Sequence, residues 1–458
     1  MQFFAKAALL FAFLGGAEAP AQVTATNSSN AAPIDLVGEY IGEDGSSLLV
    51  EAAEGHLRLT SGPMTFTLIR QGPGRFTAKE RALEFRFTGA KVEVIEQGKV
   101  VAAAEKGARP SPAVVYQDMK FGEWADREVP GLLERYRVPA AAIAYIREGR
   151  IVFARTYGER RHGVLADPAT LFNAASLTKP VAAEVLLRLA SQGKLDLDAG
   201  MGPVWIDPDL AGNERAARLT TRMSLEHRTG LPNWRSQTAN TLTFQFPPGD
   251  GFHYSGEGYT YAARYAEALT GTSFEQLANE LVFQPLEMHD VSFTAQESYK
   301  RHAAYPHDAL GRELWPVLRL DYSAACCLYT TINDYARFVV GVMHDTALSS
   351  TLQAQRIATG KNQAREMCDE GEGLSRELCP PRIAMGLGWF VFGYPEQTVV
   401  HHTGTNDGER SLALFVPETG LGLVILTNGA NGRKLIKDVS AAAYDNPAFN
   451  RILESQAR

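Results

Sequence analysis

The sequence predicts an α/β protein: an antiparallel sheet covered by helices, with an inserted mostly helical subdomain, preceded by a small all-β meander or barrel domain. Three observations carry this. From Ile34 to about Lys106, short β-like runs alternate with Gly, Asp and Pro, as in an antiparallel meander. In the rest of the chain, apolar β-like runs stand at both ends, within 140–157 and 388–427. Between them apolar residues recur mostly at helical spacing. Strands at both ends with helices between imply one sheet assembled from the two termini, with helices on its faces. The 458 residues suffice for two or three domains and a large core. The expected boundaries are a β domain over 34–106, a linker over 107–114 and an α/β domain over 115–446.

Taken in order, residues 1–21 read as a secretory signal. Lys6 supplies the positive start, and Ala7 to Phe13 is apolar but too short to span a bilayer. Ala19-Pro20-Ala21 fits a small-x-small cleavage site. The expectation is an exported protein, periplasmic or secreted, with no stable membrane anchor. Residues 22–33 are small and polar, a linker. The β runs are Ser47–Glu51, His56–Thr60, Thr65–Ile69, Ala82–Phe87 and Lys91–Ile95. They hold no cluster of His, Cys or carboxylates, so this module reads as stabilising or docking. Residues 117–137 predict a helix burying Phe121, Trp124, Val129 and Leu133. Ala140–Ile146 and Arg150–Tyr157 predict a hairpin turning at Glu148-Gly149. Residues 200–345 read as mostly helical. Gly388–Phe392, Thr398–Thr403, Ser411–Val416 and Leu421–Thr427 read as strands, and 433–445 as a closing helix.

Hydrophobic content of 45% and charged content of 21% are those of a soluble globular protein. A net charge of −7 with no Lys/Arg run offers no face for nucleic acid. Cys326, Cys327, Cys368 and Cys379 lack zinc-site spacing. A bridge between the adjacent Cys326 and Cys327 is strained, which leaves a Cys368–Cys379 clip or cross-bridges from the pair.

The chemistry centres on Asn173-Ala174-Ala175-Ser176-Leu177-Thr178-Lys179-Pro180. Val181, Ala182, Val185, Leu186 and Leu189 follow at helical spacing, which puts Ser176 at a helix start. Lys179 lies three residues on, on the same side of the first turn. A lysine in a partly desolvated cleft gives up its proton more readily and can help move that of the serine. The helix start favours a developing oxyanion. Alone the spacing is weak, since about one chance match is expected in a chain of this length. Two later stretches add to it. Tyr254-Ser255-Gly256 offers a phenol that can share a proton with the lysine. His402-Thr403-Gly404 ends a predicted strand, an edge along which a substrate backbone can pair. The N–H of Thr405 can complete an oxyanion hole with that of Ser176. Thr403 can bind a substrate carboxylate, and His402 adds charge if protonated.

These three motifs, in this order, resemble the serine β-lactamase and penicillin-binding protein superfamily, specifically its class C β-lactamase-like branch. Further stretches resemble the same branch: His227-Arg228-Thr229-Gly230-Leu231-Pro232, Gln284 to Met288, Ala324 to Phe338, Gly386 to Trp389 and Pro417 to Asn428. The resemblance runs from about 115 to 445 and implies a β-lactamase/transpeptidase-like fold. It implies an acyl-enzyme on Ser176, with Lys179 and Tyr254 handling protons, and no metal or cofactor. The implied partner is a small-molecule ester, amide or D-peptide; oligomeric state is open. Three departures bear on substrate. Gly256 stands where the branch's β-lactamases have Asn, His402 where they have Lys, and Cys326-Cys327 where Gly-Gly is usual. The expectation is therefore an esterase, D-amino-acid peptidase or related amidase. A true β-lactamase or D-Ala-D-Ala carboxypeptidase, and a non-turnover penicillin-binding sensor, are the alternatives.

Overall fold

The computed structural model of the chain describes residues 36–42, 47–53, 56–61, 64–106, 119–296, 302–344, 347–358, 363, 367–368, 374 and 376–457. The expected signal (1–21) and both linkers (22–33 and 107–114) lie outside the described residues. The chain divides into two compact units, Met1–Pro112 and Ala113–Arg458.

In the first unit, strands Gly38–Gly42, Ser47–Ala53, His56–Ser61, Met64–Gly72, Arg75–Ala78, Leu83–Thr88, Lys91–Glu96 and Lys99–Lys106 (β1–β8) form a closed antiparallel barrel. Inward residues alternate along strands such as β6, at Leu83, Phe85 and Phe87, and side chains fill the interior. The sequence reading missed β1, β5 and β8. β5 has only four residues. β8 is KVVAAAEK, whose alanines favour a strand little; it is held by pairing with β7 and with β1.

In the second unit, a helix over Met119–Tyr136 precedes β9 (Ala140–Arg147), β10 (Arg150–Arg161) and β11 (Val164–Leu165). Three two-residue strands, β12 (Phe172–Asn173), β13 (Val291–Ser292) and β14 (Tyr329–Thr330), form a small sheet. Helices Thr178–Ser191, Gly256–Thr270 and Ile332–His344 are the long ones between β11 and the closing strands, joined by extended connections. The chain then adds β15 (Arg382–Met385), β16 (Phe390–Gly393), β17 (Thr398–Asn406), β18 (Glu409–Val416) and β19 (Leu421–Thr427). The main sheet runs β11-β10-β9-β19-β18-β17-β16-β15, so β9 and β19 join the two ends of the domain. Helices Gly432–Ala443 and Pro447–Gln456 follow, the second not foreseen from sequence.

Strand alternation divides the core. Ala142, Ala144, Ala413 and Val424 face the cluster that holds the Thr178–Ser191 helix. Ala141, Ile143, Leu412 and Ile425 face the Met119–Tyr136 and Gly432–Ala443 helices. The Thr178–Ser191 helix is also held by buried charge. Glu184 bonds Arg188 (2.8 Å) and Arg356 (3.0 Å) through its two oxygens, and Arg356 also donates to the carbonyl of Val342 (2.6 Å). Cys368 and Cys379 form a disulfide, and Cys326 and Cys327 are free thiols. Among the described residues no helix is long and apolar enough to cross a membrane.

Glu184→Ala leaves two buried guanidiniums without their carboxylate. The expected loss is about 3–5 kcal/mol of stability. Urea unfolding followed by tryptophan fluorescence measures it in this unit, since every tryptophan of the chain lies after residue 112. A loss below about 1 kcal/mol, as for an exposed pair, contradicts the assignment.

Candidate active site

The chain leaves β12 at Asn173 and turns sharply into a 3₁₀ turn, Ala175–Leu177, that runs into the Thr178–Ser191 helix. The turn needs Ala175 at φ +50°, a region that disfavours a Cβ. Its surroundings hold it there. The Ala175 N–H donates to Asn173 Oδ1 (2.9 Å), and Thr178 Oγ1 donates to the Ala175 carbonyl (2.5 Å). Ser411 Oγ donates to the Ala174 carbonyl (2.8 Å) and Tyr335 to that of Leu177 (2.8 Å). Ser176 is thereby presented half-buried at the head of the helix.

Lys179 is fully buried. Its Nζ donates to Ser176 Oγ (3.3 Å) and to the Ala325 carbonyl (2.8 Å), and lies 4.6 Å from the centre of the Tyr254 ring. The structure thus brings Ser176, Lys179 and Tyr254 together. Tyr254 is fixed by its rings: parallel to Phe390 at 6.3 Å and against His227 at 4.2 Å. His227 in turn accepts the Ser255 N–H on Nδ1 (2.9 Å). Burial and the Lys179 charge hold its imidazole well below the usual range, so it is neutral.

β17 runs beside the nucleophile turn. A Cβ on Gly404 would stand 2.0 Å from Ser411 Oγ and 2.7 Å from the Ala174 carbonyl, so only glycine permits this approach. β16 pairs with β17 only from Thr398 to His401, whereas β18 pairs with it through Asn406. Thr403, Gly404 and Thr405 therefore form the free edge expected from sequence. Thr405 is exposed, and its Oγ1 accepts from Arg433 (3.1 Å).

His402 corrects one expectation. It is buried, its Nδ1–H donates to the Thr403 carbonyl (2.8 Å), and desolvation with the Lys179 charge pushes its pKa down to about 3. It carries no charge for a carboxylate at neutral or mildly acidic pH. Arg433 brings a cation to the β17 edge and lines a pocket there with Thr403, Gly404 and Ser411. Sequence reasoning missed Arg433, because it lies 28 residues beyond Thr405 and only the β17–β18–β19 pairing and the following helix bring it back. It missed Trp234 as well. A Cβ on Gly256 would lie 2.9 Å from the Trp234 ring and 2.9 Å from the Asn233 carbonyl. The Trp234 ring stands 5.8 Å from Lys179 Nζ. It fills the space into which a larger side chain at 256 would project.

The sequence profile described as Beta-lactamase matches residues 125–445. The chain belongs to the beta-lactamase family. Protein flp of Staphylococcus aureus is 24% identical over 322 residues, 65% of this chain and 61% of that protein. The chain thus spans about 61% of that relative's length. Penicillin-binding protein 4 of Amycolatopsis lactamdurans is 23% identical over 340 residues, 69% of this chain and 87% of that protein. Among solved structures, the D-alanine carboxypeptidase AmpC from Burkholderia cenocepacia is similar with a TM-score of 0.58 at 18% identity, covering 71% of this chain and 98% of that one. The family's mixed α/β fold, with antiparallel strands and covering helices, is the one described above. Its members are generally serine hydrolases.

The buried histidines make stability depend on pH. His401 and His402 are both pushed down to about 3 by burial. Unfolded, they titrate near about 6.5. Between these values the unfolded chain binds more protons, so stability is present above about pH 6.5 and falls as pH drops towards 3. His401 packs against Phe390, Phe392 and Phe449, a place a phenyl ring also suits. His401→Phe is expected to shallow the fall of Tm between about pH 7 and 4.5. An unchanged slope contradicts the assignment.

Proposed function

We propose that the chain is a serine hydrolase that forms an acyl-enzyme on Ser176 and acts on esters in preference to β-lactams or D-alanyl peptides. The convergence of Ser176 Oγ, Lys179 Nζ and the Tyr254 ring carries the first part. In this reading Ser176 attacks the substrate carbonyl, and Lys179 and Tyr254 pass its proton to the leaving group. The backbone N–H groups of Ser176 and Thr405 hold the oxyanion, and water releases the acyl group. Thr403 and Gly404 line the substrate's path along the β17 edge. No metal or cofactor takes part, the substrate is a small molecule, and the chain works outside the cytoplasm after loss of residues 1–21. The barrel domain contributes none of these groups and is dispensable for the chemistry.

The filled space beside Gly256 and the neutral His402 carry the second part. An amide substrate meets the Trp234 ring where a side-chain amide would bind it, and His402 offers its carboxylate no charge. Losing a charged hydrogen bond costs about 1.5–3 kcal/mol and a neutral one about 0.5–1.5. Together this is roughly a hundredfold in discrimination. A reactive ester depends little on either contact.

A fluorophosphonate is expected to add one adduct, read by intact mass and absent in Ser176→Ala; an adduct that persists there refutes the assignment. Tyr254→Phe is expected to lower kcat/KM for a nitrophenyl ester by about 10²–10⁴. Wild-type kcat/KM for that ester is expected to exceed that for a chromogenic cephalosporin by about a hundredfold. Gly256→Asn alone gives no gain on the cephalosporin, because the Trp234 ring and the Asn233 carbonyl crowd the new side chain. Efficient cephalosporin turnover by the wild type overturns the substrate reading. A single burst without turnover on every substrate favours the sensor alternative.

A further inference from the structure

Cys326 and Cys327 take no part in the chemistry above, yet they sit directly behind it. Both are buried, at 7% and 6% exposure, and both are free thiols. They are adjacent in the chain. Cys326 Sγ also lies 3.6 Å from Ser323 Oγ, and Cys327 Sγ 4.0 Å from Asn406 Nδ2, one residue past Thr405 on β17. The residue before the pair is Ala325, whose carbonyl holds Lys179 Nζ at 2.8 Å. Cys327 has φ +73°, so the backbone is already sharply turned between the two thiols and the strand.

We propose that Cys326 and Cys327 are a reversible oxidation site, closing to a vicinal disulfide that displaces the Ala325 carbonyl from Lys179 and so switches the nucleophile off. The oxidant is a small organic disulfide, RSSR. Cys326 is the attacking sulfur: its Sγ lies 3.6 Å from Ser323 Oγ, and the Lys179 and Arg319 charges also favour its thiolate. It displaces one RS⁻ and forms a mixed disulfide. Cys327 then attacks the Cys326 sulfur and expels the second RS⁻. Two thiols and one RSSR give one protein disulfide and two RSH; the pair is oxidised by two electrons and RSSR reduced by two, and both protons leave on RSH.

Closure brings the sulfurs to about 2.05 Å. The peptide between them must rotate, because the ring that joins adjacent residues has no other slack. That movement passes to Ala325 on one side and breaks the Cys327 contact with Asn406 on the other. The same strain makes the bridge easy to reduce, unlike Cys368–Cys379, which closes a longer loop. Such a pair suits a switch better than a structural tie.

The proposal rests on the hydrolase reading, and the test separates the two. The full chain is treated with a dipyridyl disulfide, and the 326–327 peptide is read by mass alongside the rate of fluorophosphonate labelling at Ser176. The expected result is a loss of two hydrogens with no retained pyridyl group, and labelling slowed by about tenfold or more. Mild thiol restores the rate. Cys326→Ala/Cys327→Gly has neither free thiol and suits the positive φ at 327; it labels like the reduced wild type and ignores the oxidant. Mixed pyridyl adducts without closure overturn the proposal, as does closure with an unchanged rate. If the reduced protein takes no fluorophosphonate, the hydrolase reading fails by itself. The proposal is then decided by the Lys179 amine resonance, which must shift on oxidation; an unmoved resonance overturns it.

Discussion

A fully buried lysine amine has to be held from more than one side, and the second unit of this molecule meets that requirement at Lys179. Lys179 donates to Ser176 and to the Ala325 carbonyl, and lies over the Tyr254 ring. Leaving such a group without partners in a low-dielectric interior costs far more than one hydrogen bond returns. Two of the three partners, Ala325 and Tyr254, come from distant stretches of sequence, so the amine is fully satisfied only when the domain is assembled. Ser176 is thus coupled to the packing of the Thr178–Ser191 helix, to the loop that ends at Ala325, and to the segment that carries Tyr254.

The same burial sets the charge state of the surroundings. His227 and His402 flank Tyr254, and both are held neutral by desolvation with the Lys179 charge adding to it. A second cation there would compete with the lysine; a neutral imidazole fills the volume without doing so. A cation lies instead on the exposed side of β17, at Arg433 against Thr405.

The local parts of this arrangement were legible in the sequence. The spacing of Ser176 and Lys179, the helical run after them and the strand carrying His402-Thr403-Gly404 are short-range patterns, and each forms, the strand running on to Asn406. β9 and β10 were legible because their apolar runs join at a turn. What escaped depends on contacts far apart in the chain. β8 is a strand because a barrel needs its eighth partner, against its alanine content. The partnership of Trp234 with Gly256 arises because the Asn233 carbonyl accepts the Gly256 N–H at 3.1 Å, a meeting of two loops. The charge of His402 could not be read from its motif, since burial, and not residue type, decides it. The choice among disulfides needed the fold to bring Cys368 and Cys379 together and leave the adjacent pair free.

The central claim is that Ser176, with Lys179 behind it, carries the acyl group during turnover. The most direct test is to acid-quench the protein during steady-state hydrolysis of a slowly deacylating nitrophenyl ester. The account predicts a burst of about one nitrophenol per protein. It also predicts the acyl mass on the peptide containing Ser176, with both signals lost in Lys179→Ala. Linear nitrophenol release with an unmodified Ser176 peptide would contradict it.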